Sequence, residues 1–281
     1  MKNENCIAFM RLPRQCWRNE PSYREYAMNT LIQKPEEVAE GHYRLRIETP
    51  ATLVPRPGQF INIRVSTGTD PLIRRPFSVY NYEDGALEII FRVIGKGTEI
   101  MRGYEAGRGI DYIGPLGRGF SLCEHSSVLL VGGGVGNAPL YYLARELKKK
   151  NNRITYIYGA RSARYIYCKD QYRARADDFA AVTDDGTAGL KGFATTLADE
   201  YIRKNAYDRV YVCGPTVMMA AIAASASIAG APVEVSMENY FGCGVGLCSG
   251  CTIETTEGLK RACVDGPVLN GNIIVWQSLT D

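Results

Sequence analysis

Histidine is nearly absent from this chain, and its scarcity narrows the metal chemistry that the chain can support. His42 and His125 are the only histidines among 281 residues, and both lie far in sequence from the C-terminal cysteines. Zinc sites that combine cysteine with paired histidine are therefore disfavoured. No apolar run approaches the roughly eighteen residues of a membrane span. The net charge of +3 is too small to indicate nucleic acid or an acidic membrane surface as a partner.

Internal repeats and low-complexity tracts are also missing. A hydrophobic content of 46% describes an ordinary globular protein, and the length suffices for two domains and a small third. The first 27 residues show neither a strand nor a helix period, and they lack the apolar core of a secretory signal. We expect residues 1–27 to be a disordered extension or an artefact of start-codon choice, with the folded chain beginning near Met28.

Cysteine, by contrast, is abundant, and four of the nine cysteines lie near the C-terminus. Cys243, Cys248 and Cys251 follow the spacing C-x4-C-x2-C, and Cys263 comes after eleven further residues. This is the ligand spacing of plant-type [2Fe–2S] clusters. Glycines are interleaved with the first three cysteines, as is needed where backbone N–H groups approach the cluster sulfurs. We predict that the four cysteines ligate a two-iron cluster, which exchanges single electrons.

Two other uses of these cysteines stay open at this point. Zinc sites usually contain two C-x2-C pairs or a mixture of cysteine and histidine, whereas this loop has one such pair. A disulfide pair is the second alternative. The other scattered cysteines are interpreted as free thiols: Cys6, Cys16, Cys123 and Cys168. This usage indicates a reducing compartment, so we expect a cytoplasmic protein.

Residues 28–122 have the pattern of a small antiparallel β-barrel. Residues 43–48 and 60–65 alternate between apolar and polar side chains, and residues 87–93 form a third run. No helical period of note interrupts them. Pro/Gly turns are predicted at residues 55–58, 68–71, 83–85, 95–97 and 114–117.

Residues 123–236 alternate between strand and helix patterns, which predicts a doubly wound parallel sheet. Strands are predicted at residues 128–131, 154–158, 209–213 and 233–236, and helices at residues 140–147, 191–203 and 216–229. The remaining residues, 237–281, are predicted to form a compact cluster-binding lobe.

A glycine run between the first of these strands and the first helix predicts a nucleotide site. Such glycines let backbone N–H groups approach a pyrophosphate at a helix N-terminus. A tight turn that binds nothing is the alternative. No acidic residue follows the second strand to hold a ribose 2′-hydroxyl, and Arg161 or Arg164 keeps NADP open beside NAD. The glycines concerned are Gly132, Gly133, Gly134 and Gly136.

A second candidate contact with nicotinamide ends a later strand of the same sheet. Cys213, Gly214 and Pro215 follow the strand predicted at residues 209–213. Ligands of parallel sheets bind at the carboxyl ends of the strands, so this turn is suited to contact the nicotinamide ring. A buried cysteine followed by a simple turn is the equally open alternative.

The combination of sites predicts a flavin. Nicotinamide transfers two electrons as a hydride and a two-iron cluster transfers one, so a chain with both needs a converter, which flavins provide. In the barrel, the Arg75 fork suits a diphosphate, and the Ser78 hydroxyl suits a flavin ring nitrogen. Gly97 and Thr98 lie in a predicted turn and offer N–H groups and a hydroxyl to phosphates.

Taken in order, these motifs resemble the electron-transfer subunits of NAD-linked, heterotetrameric dihydroorotate dehydrogenases, within the ferredoxin reductase superfamily. The resemblance runs from about Met28 to the C-terminus. Its strings are residues 75–78, 114–117, 132–136, 183–187, 191–193, 213–215, 237–238 and 263–267. The N-terminal stretch has no counterpart in the family, and residues 239–241 replace a more charged segment.

The resemblance implies three cofactors, FAD, a [2Fe–2S] cluster and NAD(H), with the cluster held by the four cysteines and NAD(H) by the glycine run and residues 213–215. It implies FAD contacts at Arg75, Pro76, Phe77, Ser78, Ile90, Phe91, Arg92, Gly97 and Thr98. It also implies an FMN-containing dihydroorotate dehydrogenase catalytic subunit as partner, two of each chain in a heterotetramer, and a role in pyrimidine biosynthesis. Electrons would pass from that partner through the cluster and FAD to NAD⁺. The chain offers no base for dihydroorotate itself, so no catalytic residue is assigned.

Two rival functions remain. The same scaffold serves NADH-dependent ferredoxin:NADP oxidoreductases and sulfur or sulfite reductases, although four cysteine ligands favour dihydroorotate dehydrogenase. Alternatively, the cysteine loop is a zinc-stabilised or redox-sensing interaction module without enzymatic function. Metal analysis distinguishes this last possibility, because zinc without iron would support it.

Overall fold

The computed structural model describes residues 30–50 and 52–279. The predicted extension at residues 1–27 lies outside the described residues. In the described part of the chain, no helix is both long enough and apolar enough to cross a membrane.

The first half of the chain forms a curled antiparallel sheet of seven strands in the order β1-β7-β4-β5-β6-β3-β2. Alternation places Ile61 and Ile63 of the fourth strand in its core, fully buried. A bridge between Ile32 and Ile47 curls the sheet toward closure, so the antiparallel barrel class is confirmed. The strands are β1 Thr30–Leu31, β2 Glu36–Ala39, β3 His42–Glu48, β4 Phe60–Arg64, β5 Arg75–Glu83, β6 Ala86–Arg92 and β7 Gly109–Leu116.

Two predicted turns of the barrel are wrong. Where a turn was predicted at residues 95–97, helix α1 (Lys96–Arg102) begins; its seven residues bury Gly97 and Met101 and are too few to show a helical period. The turn predicted at residues 114–117 falls mostly inside β7. Gly114 allows strand β4 to approach, because a Cβ there would lie 2.8 Å from Ile61 Cγ2, and the pairing shifts register at this point.

The second half of the chain forms a seven-stranded sheet in the order β11-β10-β9-β8-β12-β13-β16, parallel except at β16 (Val268–Asn270). Its elements are β8 Ser127–Gly133, α2 Asn137–Lys149, β9 Arg153–Ala160, α3 Lys169–Arg173, β10 Asp178–Thr183, β11 Leu190–Lys191, α4 Ala194–Lys204, β12 Arg209–Cys213, α5 Thr216–Ile228 and β13 Val233–Ser236. Along β8, Val128 and Leu130 pack against the α2 side, while Leu129 and Val131 pack against the α4 and α5 side. The doubly wound parallel sheet is therefore confirmed.

The C-terminal lobe (residues 237–279) has little regular structure. It contains the hairpin β14 Thr252–Thr255 and β15 Gly258–Arg261, the strand β16 Val268–Asn270 and two short 3-10 turns. The sequence indicated a separate lobe, but β16 pairs with β13 and so completes the edge of the α/β sheet. Phe241 packs edge-on against Phe60 of the barrel, with ring centroids 5.1 Å apart. The lobe is thus held by both preceding sheets.

Helix α2 joins the barrel to the α/β domain. The buried Arg145 guanidinium donates to Asn81 Oδ1 at 2.6 Å and to the Tyr82 carbonyl at 2.7 Å, both on β5. One helical turn earlier in α2, the ring of Tyr141 stacks on the ring of Tyr80 in β5, with centroids 4.6 Å apart. These contacts fix the strand that carries the predicted flavin motif against the helix that follows the glycine run.

Candidate functional site

A cavity of about 700 Å³ opens at the carboxyl ends of the parallel strands, beside the barrel. Its wall brings together the glycine run, the Gly214–Pro215 turn and Arg92 of the barrel, three features that sequence reasoning assigned to cofactors. The lining residues are His42, Arg92, Gly133, Gly134, Val135, Gly136, Gly159, Ala160, Arg161, Tyr165, Asp184, Phe193, Ala194, Thr195, Gly214, Pro215, Thr216, Val217, Met218, Met219 and Glu238. A dinucleotide at the carboxyl edge of a parallel sheet would occupy this position.

The glycine run is shaped as a backbone cradle. Gly132 and Gly133 end strand β8, and residues 134–136 form a 3-10 turn that leads into α2. A Cβ on Gly132 would lie 2.0 Å from Asn137 Oδ1, and one on Gly136 would lie 2.6 Å from the Cys213 carbonyl oxygen. These two glycines are therefore required by close packing inside the fold, whereas a Cβ on Gly134 would meet nothing within 4 Å, and Gly134 lies on the cavity wall where a pyrophosphate would approach. The role of the run as a binding site stays a prediction.

Buried tyrosines brace this cradle, and sequence reasoning did not single them out. The Tyr156 hydroxyl donates to Asn137 Oδ1 at 3.1 Å, and the Tyr172 hydroxyl donates to the Asn137 carbonyl at 3.1 Å. Tyr167 donates to the Val135 carbonyl at 3.2 Å. Burial raises the pKa of all three tyrosines well above the ordinary value, so each hydroxyl remains a neutral donor.

The turn after β12 enters the cavity through its glycine and proline. The Cys213 side chain is buried in the core shared with α2, and burial, followed by the nearby Glu238 carboxyl, raises the pKa of its thiol. Gly214 and Pro215 lie on the cavity wall. The structure thus places the backbone of this turn, rather than the Cys213 side chain, toward a ligand.

Glu238 is a cavity residue that the sequence interpretation did not assign to a site. Its side chain is exposed to the solvent of the cavity, and the surrounding protein atoms raise the pKa of its carboxyl by desolvation. Glu238 lies two residues after the C-terminal end of β13. This position at a strand end is the signal that was available in the sequence. A carboxyl that keeps its proton more readily than usual is suited to donate a hydrogen bond to a bound ring.

An acidic side chain is present beside the second strand after all, but it comes from the neighbouring strand. Asp184 follows β10, its backbone N–H donates to the Ala160 carbonyl at 3.2 Å, and it lines the cavity with Arg161. Arg164, the other arginine of the NADP alternative, pairs with Glu40 at 3.5 Å and stacks over Tyr165 at 4.7 Å. Beside the second strand, the cavity therefore offers the Arg161 guanidinium and the Asp184 carboxylate to an adenosine ribose.

The barrel residues predicted to contact FAD fall into two groups: those around the contact between Arg75 and helix α1, and the remaining residues of β5 and β6. The Arg75 guanidinium packs against Gly97, where a Cβ would lie 3.1 Å from Nε, so two predicted phosphate-binding elements do meet. The Thr98 hydroxyl is already used, because it accepts from the Ile94 N–H at 3.0 Å and donates to the Gly95 carbonyl at 3.0 Å. Thr98 is therefore left with its backbone for a phosphate, in the first turn of α1 rather than in a loop.

In the second group, side-chain direction limits the role of each residue. Phe91 is buried in the barrel core against Phe77, with centroids 6.0 Å apart, so both rings contribute to the core. Ile90 packs between the barrel and the α/β domain. Pro76, Ser78 and Arg92 remain partly or fully accessible. These positions fit a flavin beside β5 and β6, and the individual contacts stay predictions.

The four C-terminal cysteines lie in two pairs surrounded by backbone N–H donors. Cys243 Sγ accepts from the Val245, Leu247 and Cys248 N–H groups at 3.5, 3.2 and 3.4 Å. Cys248 Sγ accepts from the Cys243 N–H at 3.4 Å. In the second pair, Cys251 Sγ accepts from the Cys263 N–H at 3.4 Å and Cys263 Sγ from the Gly246 N–H at 3.2 Å. Sulfur atoms held in this way fit a two-iron cluster, whose potential depends on such bonds.

The electrostatics of the two pairs differ. Burial opposes ionisation of Cys243, but the N–H donors of Val245, Cys248 and Leu247 outweigh it and lower the pKa of this thiol to about 6. For Cys263, burial and then the adjacent Cys251 raise the pKa to about 12. The Cys243 sulfur is therefore disposed to be a thiolate before a metal binds, whereas the Cys263 thiol needs a metal to become ionised.

The same geometry bears on the zinc alternative. Among residues 30–50 and 52–279, no three His, Cys, Asp or Glu side chains converge as ligands of a single metal ion. Four cysteines could hold either two irons or one zinc ion, and metal analysis decides between them.

Two family models match separate parts of the chain. Residues 238–275 match the model of the iron–sulfur cluster binding domain of dihydroorotate dehydrogenase B, and residues 130–224 match the oxidoreductase NAD-binding domain. The dihydroorotate dehydrogenase B (NAD⁺) electron transfer subunit of Desulforamulus reducens is 38% identical over 85% of this chain and 95% of its own length. A homolog of this subunit from Thermotoga maritima is 35% identical over 90% of this chain and 89% of its own length.

A solved structure is similar over the whole fold. It comes from work on flavin-based electron bifurcation by the NADH-dependent reduced ferredoxin-NADP oxidoreductase. It superposes with a TM-score of 0.81 and 34% sequence identity, and it covers 89% of this chain and 91% of that chain.

Proposed function

Since the chain belongs to the family of dihydroorotate dehydrogenase B electron transfer subunits, we propose that it binds FAD, a [2Fe–2S] cluster and NAD(H) and passes electrons from a dihydroorotate dehydrogenase partner to NAD⁺. When bound, the cluster supplies one-electron transfer and the flavin converts it to the hydride chemistry of nicotinamide. The observation that carries the proposal is the contiguity of the three sites: the cysteine loop contacts the barrel, and the barrel lines the nucleotide cavity.

The roles of the chain's own residues follow from their positions. The glycine cradle and the Gly214–Pro215 turn bind the dinucleotide through backbone groups, and the buried tyrosines keep the cradle rigid. On the barrel side, Arg75 donates from Nη1 to the Ile73 carbonyl and offers the rest of its guanidinium to the flavin diphosphate beside Gly97. The Glu238 carboxyl, whose pKa burial raises, lies at the cavity wall.

The cysteine loop is oriented for exchange with another protein. Cys251 and Cys263 are buried, whereas Cys248 is exposed. Next to the exposed cysteine, Leu247 is 85% exposed and Tyr240 is 89% exposed. Exposed apolar side chains around a redox centre are suited to docking a partner. We propose the FMN-containing catalytic subunit as that partner, two of each chain in a heterotetramer, in the cytoplasm and in pyrimidine biosynthesis.

A second candidate keeps the scaffold and changes the partner. The 34% identity and the 0.81 TM-score to the ferredoxin-NADP oxidoreductase structure favour a role as the NADH-oxidising subunit of such an enzyme. The dihydroorotate dehydrogenase subunits remain preferred, because the family model of the cysteine lobe is theirs.

The test begins with anaerobically purified chain and its analysis for iron, acid-labile sulfide, zinc and flavin. We expect two irons and one FAD per chain, NADH-dependent dye reduction and no dihydroorotate oxidation until the catalytic subunit is added. Zinc without iron, or the absence of flavin, would contradict the proposal.

Isolation of the complex from native cells separates the two candidates. Recovery of an FMN-binding dihydroorotate dehydrogenase supports the first. Recovery of a large iron–sulfur subunit together with NADPH-linked ferredoxin chemistry transfers the assignment to the second.

A further inference from the structure

One barrel side chain connects the flavin strand with the cluster loop. Asn62 lies in β4 and is fully buried. In the antiparallel pairing of β4 with β5, Asn62 is opposite Pro76 and Phe60 is opposite Ser78, both within the predicted flavin motif. Directly opposite residues in an antiparallel pair share one face of the sheet. The face of β4 that carries Asn62 is therefore the face of Pro76 and Ser78, two of the residues predicted to contact the flavin.

On that same face, Asn62 contacts the first cluster cysteine. Its Nδ2 donates to the Cys243 carbonyl at 3.3 Å. The next residue, Gly244, has φ +76°, and a Cβ there would lie 2.6 Å from Asn62 Nδ2. Two residues along β4, Phe60 packs against Phe241 at the start of the loop. The cluster loop is therefore seated on β4 by one hydrogen bond and one ring contact.

The carbonyl oxygen of the same amide is unsatisfied in the part of the chain that the structure describes. Asn62 Oδ1 is buried and has no hydrogen-bond partner among the residues that the structure describes. Leaving a buried carbonyl oxygen unpaired carries a desolvation cost. An apolar side chain of similar shape would avoid this cost. Stability alone therefore does not account for an amide at this position.

We infer that Asn62 is a positioning residue that orients the Cys243–Gly244 peptide and so sets the environment of the cluster and its electron exchange with the flavin. The carbonyl that Asn62 holds belongs to the peptide that leads to Val245, whose N–H donates to Cys243 Sγ. Hydrogen bonds to the ligand sulfurs stabilise the reduced cluster. Loss of the Asn62 donor should loosen them and lower the midpoint potential of the cluster.

The inference rests on the proposed function, and the test uses the full chain loaded with FAD and cluster. Asn62→Leu removes the amide at nearly constant volume. We expect an altered EPR spectrum of the reduced cluster, a lower midpoint potential and an about tenfold slower electron exchange between FAD and cluster, as for other changes around metal ligands. The potential and the EPR spectrum are measured without turnover, so they report on the cluster environment rather than on folding alone.

Two further variants complete the test. Gly244→Ala disrupts the same contact from the loop side. It serves as the test if Asn62→Leu does not fold. Asn152→Leu is the matched control, because Asn152 is a buried amide of the α/β domain that donates to the Cys123 and Leu147 carbonyls at 2.8 Å. It should lower the melting temperature and leave the cluster signals unchanged.

The outcomes are distinct. An EPR spectrum, potential and exchange rate like those of the wild type in a folded Asn62→Leu or Gly244→Ala protein would overturn the inference. A wild-type protein that holds no iron or no flavin would instead overturn the proposed function.

Discussion

The α/β domain and the C-terminal lobe build their sites by opposite means. In the α/β domain, the cavity is formed by backbone at the ends of strands whose positions are set by a continuous sheet and by apolar packing on both faces. In the lobe, a short hairpin, one edge strand and two 3-10 turns surround cysteine sulfurs that accept backbone N–H groups. The nucleotide site is preformed in the absence of its ligand, whereas the fold of the cysteine lobe depends on metal binding for its stability.

Removal of a cluster ligand should have the largest effect, and it should affect the lobe and not the α/β domain. Cys243→Ser eliminates the sulfur that accepts three N–H bonds, so iron and sulfide should be lost and the lobe should open. Electron transfer to a one-electron acceptor should fall by more than the roughly 10–100-fold typical of changes around metal ligands. Iron analysis and hydrogen exchange of residues 237–275 are the measurements, and the α/β domain should keep its protection.

Cys123→Ser serves as the control for this experiment. The Cys123 thiol contacts Asn152 Oδ1 and the Tyr211 hydroxyl, both at 3.6 Å, and a serine can retain both partners. Retention of a full iron complement by Cys243→Ser would show that this cysteine is not a ligand.

A side chain in the glycine cradle should have the next largest effect, confined to the α/β domain. In Gly136→Ala, the new Cβ would lie 2.6 Å from the Cys213 carbonyl oxygen, so the cradle must shift. We expect a KM for NADH about tenfold higher and a loss of about 1–3 kcal/mol of stability, as for other overpacked sites. Steady-state dye reduction and urea unfolding measure the two quantities.

Gly68→Ala is the comparison variant for the cradle. A Cβ there would be 3.9 Å from Ser66 Oγ, which is an ordinary contact. An unchanged KM in Gly136→Ala would contradict the binding role of the run, while the iron content should be normal in either variant.

Cofactor preference offers a finer comparison within the cavity. Asp184 lines the wall beside Arg161, so its carboxylate should repel the 2′-phosphate of NADPH. Asp184→Asn should improve kcat/KM for NADPH relative to NADH by about tenfold, equivalent to about 1.4 kcal/mol. The ratio is measured by dye reduction with each nucleotide.

Asp185→Asn removes the same charge one residue away and is the matched control. The Asp185 carboxylate accepts from the Thr187 N–H at 3.0 Å and from the Thr187 hydroxyl at 2.7 Å within its own loop. Equal changes in both variants would mean that Asp184 acts only through net charge.

The smallest expected effect concerns pH and the sheet that supports the cavity. Burial opposes ionisation of Asp177, but hydrogen bonds from Lys148 and the Ile154 N–H outweigh it and lower the pKa of its carboxyl. A lowered folded-state pKa stabilises the fold above the unfolded pKa of 3.8, and that stability is lost as the pH falls through the folded value. Asp177→Asn should therefore cost about 0.5–1 kcal/mol at pH 7, since the pair is partly exposed.

Urea unfolding between pH 7 and pH 3 checks this expectation. The difference between variant and wild type should shrink toward the acid end. A difference that stays constant over that range would show that the ionised carboxyl contributes nothing.

Local patterns in the sequence predicted most of the α/β framework. The strands Arg209–Cys213 and Val233–Ser236 were predicted with their observed bounds, because short apolar runs between turn signals have few alternatives. Helix α1 was missed, since seven residues with two buried positions give no period. The mixed pattern of β10 (Asp178–Thr183) was likewise not recognised as a strand.

The cysteine spacing, the glycine run and the order of motifs were determined by the sequence alone, because covalent spacing and the absence of side chains are written directly in the chain. Only the tertiary structure decided that Asp184 borders the cavity from a neighbouring strand, that Glu238 reaches its wall and that Asn62 meets Cys243 across 181 positions. Those contacts arise where separate elements pack together, and no local pattern encodes which distant side chains the packing will bring within reach.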